Sequence, residues 1–217
     1  MHIEILFEDE NFLIVNKPTG LVVHATLDKS RDNLFDLVKS DREYLGLLHR
    51  LDKDTSGCIL FTKNEEINSF VQEGFETHSF EKKYWAIVHG EWKIDAKVEM
   101  FLRKIKNEKK QDIMTRVNKG GQKSISKVKT IFSNTQYSLM EFTLLTGRMH
   151  QIRAQAKHSG HPIVGDLLYG NKMLDNKITT PRMFLHSHCL TFVHGEKTIE
   201  AIAPVGTQFE NWIEKCK

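Results

Sequence analysis

Short apolar runs bounded by turn residues recur along this chain, and they constrain its fold more than any other feature. Ile5-Leu6-Phe7 and Phe12-Leu13-Ile14-Val15 flank the polar Glu8-Asp9-Glu10-Asn11, the pattern of a hairpin. Further strands are predicted over 57–62, 84–88, around Val98-Met100-Leu102, over 128–132, 137–145, 185–193 and 198–202. Helical spacing is confined to four places. Ser30 can cap a helix to about Lys39, Glu65 to about Glu76 carries Ile67, Phe70, Val71 and Phe75, Met149 to Lys157 stops before Gly160 and Pro162, and Phe209 to Lys215 closes the chain. Helices and strands are interspersed without the regular alternation of a doubly wound sheet. The expectation is an α+β fold, with a large mixed, mostly antiparallel sheet flanked by helices and loops. There is no internal repeat, no low-complexity segment and no linker, so residues 1–217 are expected to form a single domain.

Several function classes drop out. The three cysteines, Cys58, Cys189 and Cys216, are scattered and form no CxxC pair, which argues against a zinc ribbon or a dithiol redox site. Eleven histidines are many, and His186-Ser187-His188 would put two rings on one strand face. No third ligand stands at a metal spacing, so no metal is expected. The N-terminus alternates acidic and apolar residues and lacks a basic leader, and no apolar run approaches the length of a membrane span. The expectation is a cytoplasmic protein with no membrane partner.

Charge is informative through its distribution. The net charge is only +3, yet Arg103 to Lys129 holds ten basic residues against Glu108 and Asp112. Lys104, Lys109 and Lys110 in this stretch are candidate phosphate contacts. A solvated edge hairpin, whose lysines discourage strand-to-strand aggregation, explains the same run.

Three clusters carry chemistry. In His49-Arg50-Leu51-Asp52-Lys53-Asp54-Thr55-Ser56-Gly57, Arg50 and Asp52 are two apart and point the same way in an extended segment, just before an apolar strand. Thr146-Gly147-Arg148-Met149-His150-Gln151-Ile152-Arg153 leads into a helix on which His150, Arg153 and Lys157 recur at helical spacing, with Met149, Ile152 and Ala156 as the anchoring stripe. In Lys82-Lys83-Tyr84-Trp85-Ala86-Ile87-Val88, Tyr84 can stack on a base and present a hydroxyl. Each cluster also has an ordinary structural explanation: a capped turn, an amphipathic helix, a packed aromatic.

Together, and in this order along the chain, the clusters resemble the RluA family of pseudouridine synthases. The resemblance rests on Asn16-Lys17-Pro18-Thr19-Gly20-Leu21-Val22-Val23-His24, HRLDKDTSG, KKYWAIVHG, TGRMHQIRAQ, GHPIVGDLLYG (160–170) and FLHSHCLTFVH (184–194). It implies a pseudouridine-synthase fold, an RNA substrate in tRNA or large-subunit rRNA, and no cofactor. It further implies Asp52 as the catalytic carboxylate, Tyr84 as the active-site tyrosine and Arg153 as the arginine paired with the aspartate. Arg50 would fill the gap left by a flipped nucleotide, and Leu185 would line the base pocket. Lys17, Arg148, His150, Gln151 and Lys157 are expected to contact RNA. Ala25 and Gly195 stand where the family often has proline, and Gln155 where histidine is common. Because the first predicted strand begins almost at Met1, a compact member without a preceding RNA-binding domain is expected, acting as a monomer.

The implied reaction breaks the bond from ribose to uracil N1, rotates the base, joins ribose to carbon 5 and removes the proton there. A carboxylate can attack the sugar, attack the base, or take a sugar proton on a glycal route, and an arginine partner favours its ionised form. A stacked uridine must first be flipped out, at a cost of a few kcal/mol. Two other classes compete. A binding module with the fold but no activity would be favoured by changes at Asp52, Tyr84 or Arg153, and all three are present. A nucleoside or sugar hydrolase would need a second carboxylate, for which Asp54 and Asp166 are the candidates.

Overall fold

Strand alternation becomes sheet wherever apolar residues fall on one face. The computed structural model of the protein describes residues 1–25, 32–39, 42–176, 178, 180 and 182–217. The chain divides into two compact units, Met1–Lys83 with His186–Val205, and Tyr84–Leu185 with Gly206–Lys217.

The first unit contains β1 (Glu4–Glu8), β2 (Phe12–Lys17), α1 (Leu34–Lys39), β3 (Ser56–Thr62) and α2 (Asn68–Glu76), and the start of β4 (Glu81–His89). The strand order β1-β2-β3 is antiparallel throughout. Its remaining strands come from later in the chain. β3 pairs in parallel with β9 (Leu185–His194), with Ser56 opposite His186 and Gly57 opposite Ser187. β9 pairs antiparallel with β10 (Lys197–Ile202). The parallel junction requires glycine: Gly57 has φ +108°, and a Cβ there would lie 2.2 Å from the Ser187 carbonyl oxygen. β2 and β3 are almost wholly buried, as their unbroken apolar runs require. Phe12, Leu60, Val71, Phe80, Leu190 and Phe192 form the core of this unit, with the Phe80 and Phe192 rings stacked at 4.3 Å.

The second unit holds most of β4, followed in the chain by β5 (Asp95–Lys106), β6 (Asp112–Val117), β7 (Gln122–Ser133) and β8 (Tyr137–Leu144), in the order β4-β8-β7-β5-β6. β5, β6, β7 and β8 pair antiparallel. Its helices are α3 (Gln151–His158), the single turn α4 (Lys172–Asp175) and α5 (Thr207–Glu214). Met100, Leu102, Met114, Ala154 and Tyr169 pack together where α3 lies against β5 and β6.

Among the described residues a ten-stranded sheet, with antiparallel pairs and the parallel β3–β9 pair, and short helices give the expected mixed-sheet α+β class. Three boundaries differ. β6 was not foreseen, and β5 and β7 extend through the basic stretch. Ser30 lies outside the described residues, and Asn33 holds the first turn of α1, its Oδ1 accepting the Asp36 N–H at 3.0 Å. The helix expected from Met149 begins at Gln151, because His150 adopts the left-handed conformation at φ 50°.

Candidate active site

The loop that carries Asp52 is held from both sides. Upstream, His49 accepts the Leu60 N–H through Nε2 at 2.8 Å and packs on the Phe75 ring at 4.7 Å. Downstream, the Gly20 N–H donates to Lys53 O at 3.0 Å, and the Thr19 hydroxyl donates to Asp54 O at 2.8 Å. The loop closes on itself through the Thr55 N–H donating to Asp52 O. Asp52 is half-buried and Arg50 exposed. Rigid backbone thus presents a part-exposed carboxylate, a common arrangement for functional groups on loops.

Lys17 requires a correction. It was expected to contact RNA, but it is fully buried. Its ammonium donates to the carbonyls of Pro18, Leu21 and Lys53 at 3.0, 2.8 and 2.9 Å. These bonds explain how a charge survives burial. They tie the NKPTG segment to the Asp52 loop.

His186 shows why its pair with His188 makes a poor metal site. Its Nε2 donates to Ala203 O at 3.0 Å, since a carbonyl can only accept, and in the neutral ring Nδ1 then accepts the hydrogen bond of the Ser56 hydroxyl at 2.7 Å. Both nitrogens serve to join β3 to the end of β10.

In the second unit, α3 was expected to carry a basic face of His150, Arg153 and Lys157 beside an apolar anchoring stripe. Instead Gln151 to Ala156 are all buried. The Gln151 amide is saturated: Nε2 donates to Ile125 O and Ser126 Oγ, and Oε1 accepts from Thr146 Oγ1 and the Arg148 N–H. It anchors the turn before α3 and is not placed to read RNA, a second correction. Gln155 likewise ties α3 to β7, accepting from Ser126 Oγ at 2.7 Å. Arg148 is exposed, with Nε donating to Lys123 O at 3.2 Å. Half-buried His150 has its Nδ1 at 3.1 Å from the Tyr169 hydroxyl. Lys157 is exposed, and next to it His158 accepts the Arg116 N–H. Burial, then the charges of Lys157 and Arg116, push the His158 pKa down.

Arg153 is 7% exposed and forms a two-point bridge to Asp166. Nε donates to Oδ2 and Nη2 to Oδ1, both at 2.8 Å. Burial raises the Asp166 pKa, but the hydrogen bonds and charge of Arg153 and two backbone N–H groups outweigh it, and the net shift is downward. A buried, ionised carboxylate so committed is a poor general acid. That removes Asp166 as the second carboxylate of a hydrolase. Asp54, the other candidate, is exposed. Sequence reading missed the Arg153–Asp166 pair because the partners are in different motifs.

Tyr84 is buried on β4, and Leu185, also buried, opens β9. In the basic stretch, Lys104 and Lys106 both bridge to Asp112, at 2.7 and 2.8 Å. Lys109 and Lys110 are exposed at the tip between β5 and β6. Asn107 Oδ1 shapes this tip by accepting the N–H groups of Lys109 and Gln111.

Residues 11–158 match the family model described as RNA pseudouridylate synthase. The chain is 34% identical to the ribosomal large subunit pseudouridine synthase C of Vibrio vulnificus (strain CMCP6), over 98% of this chain and 69% of that protein. It is also 34% identical to the tRNA pseudouridine synthase C of Haemophilus ducreyi, over 98% and 93%. Among solved structures, human RNA pseudouridylate synthase domain containing 4 superposes with a TM-score of 0.78 at 24% identity, covering 98% of this chain and 92% of that one. That likeness bears on the fold.

Proposed function

The chain belongs to the RNA pseudouridylate synthase family and is an RNA pseudouridine synthase; from that premise we propose that Asp52 is its catalytic carboxylate and that its substrates are uridines in tRNA, large-subunit rRNA or both. The observation that carries the assignment is the loop itself. Asp52 stands part-exposed on backbone fixed by His49, Gly20, Thr19 and Thr55, within the HRLDKDTSG run that resembles the family's catalytic motif.

The isomerisation balances without an outside reagent: the bond from C1′ to N1 breaks, one from C1′ to C5 forms, C5 loses a proton and N1 gains one. Arg153 is the cation partnered with Asp52, and Tyr84 stacks on the uracil and assists the late proton transfer. Arg50 occupies the space vacated by the flipped nucleotide and offsets part of the unstacking cost. Leu185 lines the base pocket. Arg148, His150, Lys157, Lys104, Lys109 and Lys110 contact the RNA, chiefly its phosphates. Lys17 and Gln151, both buried and fully engaged, shape the loops that carry these groups.

The family match begins in the first unit and ends in the second, which supports reading residues 1–217 as one catalytic domain. Cytoplasmic location is supported by three free cysteines, as expected in a reducing compartment. Among the described residues no helix is long and apolar enough to cross a membrane.

Asp52→Asn tests the assignment. The variant should stay folded, bind RNA and release no tritium from RNA labelled at uridine C5. Substantial residual release would sink it.

A further inference from the structure

The GHPIVGDLLYG run carries the resemblance without a chemical role for any of its residues, and its one carboxylate is buried. We infer that Asp166 is a positioning residue for the reaction, setting the plane and location of the Arg153 guanidinium. The inference rests on the reading of Arg153 as the partner of Asp52.

Arginine has a long, freely rotating stem and a flat, rigid head. Two parallel hydrogen bonds to one carboxylate fix that head in both position and plane. Asp166 takes the Nε edge, with contacts at 2.8 Å to Nε and Nη2. The Tyr169 ring supports the guanidinium from one face, its centroid 5.1 Å from Cζ.

Asp166 is itself immobilised. Its Oδ1 accepts the N–H groups of Leu168 and Tyr169 at 2.9 and 3.0 Å. The preceding Gly165 has φ +75°, and a Cβ there would lie 2.2 Å from Arg182 O, so only glycine allows the approach. Just upstream, the Val164 N–H donates to Ile87 O at 2.9 Å, and Ile163 bridges Val88. The turn is therefore pinned to β4, the strand that carries Tyr84. On its far side the Tyr169 hydroxyl accepts the Met114 N–H at 2.6 Å and meets His150. One short turn registers α3, β4 and β6 around a single guanidinium. A one-ångström error at such a group costs about 100-fold in rate.

The test is Asp166→Asn, which keeps the shape and one acceptor for the turn but cannot clamp both Nε and Nη2. It is assayed at a temperature where circular dichroism shows it as folded as wild type. We expect kcat to fall about 10- to 100-fold while KM for RNA stays within about twofold. In an Arg153→Lys background the same change should cost nothing further. If the asparagine variant does not fold, Asp166→Glu carries the test, since the extra methylene displaces the clamp while keeping its charge. Its kcat should fall in the same selective way. Wild-type kcat, a loss confined to KM, or full additivity with Arg153→Lys would overturn the inference. If Asp52→Asn is inactive and Arg153→Lys is impaired but Asp166→Asn is not, only this inference fails. If Asp52→Asn is active, the underlying reading fails with it.

Discussion

Lys17 shows how much a single residue's neighbours decide. In the sequence it is a lysine next to a proline, in a motif that resembles a nucleic-acid enzyme, and contact with RNA is the natural expectation. Folding instead buries it and gives its ammonium three carbonyl acceptors, one of them on Lys53 beside Asp52. Lys17→Met keeps the length of the side chain but strands those carbonyls. The loss should be about 3 kcal/mol, in the range of hydrogen bonds to charged groups. Urea unfolding measures it directly. An unchanged midpoint would mean that the NKPTG segment holds the Asp52 loop by its backbone alone.

At the scale of elements, the β5–β6 hairpin revises the simple picture of a basic stretch. β6 was hidden because its apolar residues are few and its flanks are charged. Met114, whose burial defines the inner face, has partners in Met100, Leu102, Ala154 and Tyr169, which lie far away in the chain. The hairpin also sorts the lysines. Asp112, with its pKa lowered to about 2 by hydrogen bonds from Lys104 and then Lys106, already neutralises part of their charge. Lys109 and Lys110 project at the tip. Changing both tip lysines to alanine should weaken RNA binding and reduce the slope of log K against log salt by about 1.5. Lys104→Ala alone should change it by well under about 1, since Asp112 competes with phosphate for that charge. Titrations at several salt concentrations separate the two, and equal effects per lysine would remove any role for Asp112.

For the molecule as a whole, pH dependence should follow one half-buried histidine ring. Burial, then the charge of Lys82, depresses the His49 pKa from 6.5 to about 3, while Nε2 accepts the Leu60 N–H. The neutral form is the folded form. Between those two values the unfolded chain binds a proton that the folded chain refuses, so stability is fully present above about pH 6.5 and falls as the pH drops towards about 3. The contribution is roughly 3 kcal/mol, allowing for the solvent that still reaches a half-buried ring. His49→Gln, whose Oε1 can accept the same N–H, should lose less stability than wild type between pH 7 and pH 4.5. Parallel curves in urea would show that other groups govern acid unfolding.

The sequence by itself determined the α+β class, the strand-rich core and the family. These follow from local signals: apolar alternation, turn residues, and residue types at short fixed spacing. Tertiary structure alone decided which charged groups meet water and which meet one another. Lys17 and Gln151 became internal ties, Arg153 found Asp166 thirteen positions away across a loop, and Lys104 was drawn to Asp112. The physical reason is that the state and reach of a charged side chain depend on burial and on partners brought together only when the chain closes. Neither can be read from neighbours in sequence.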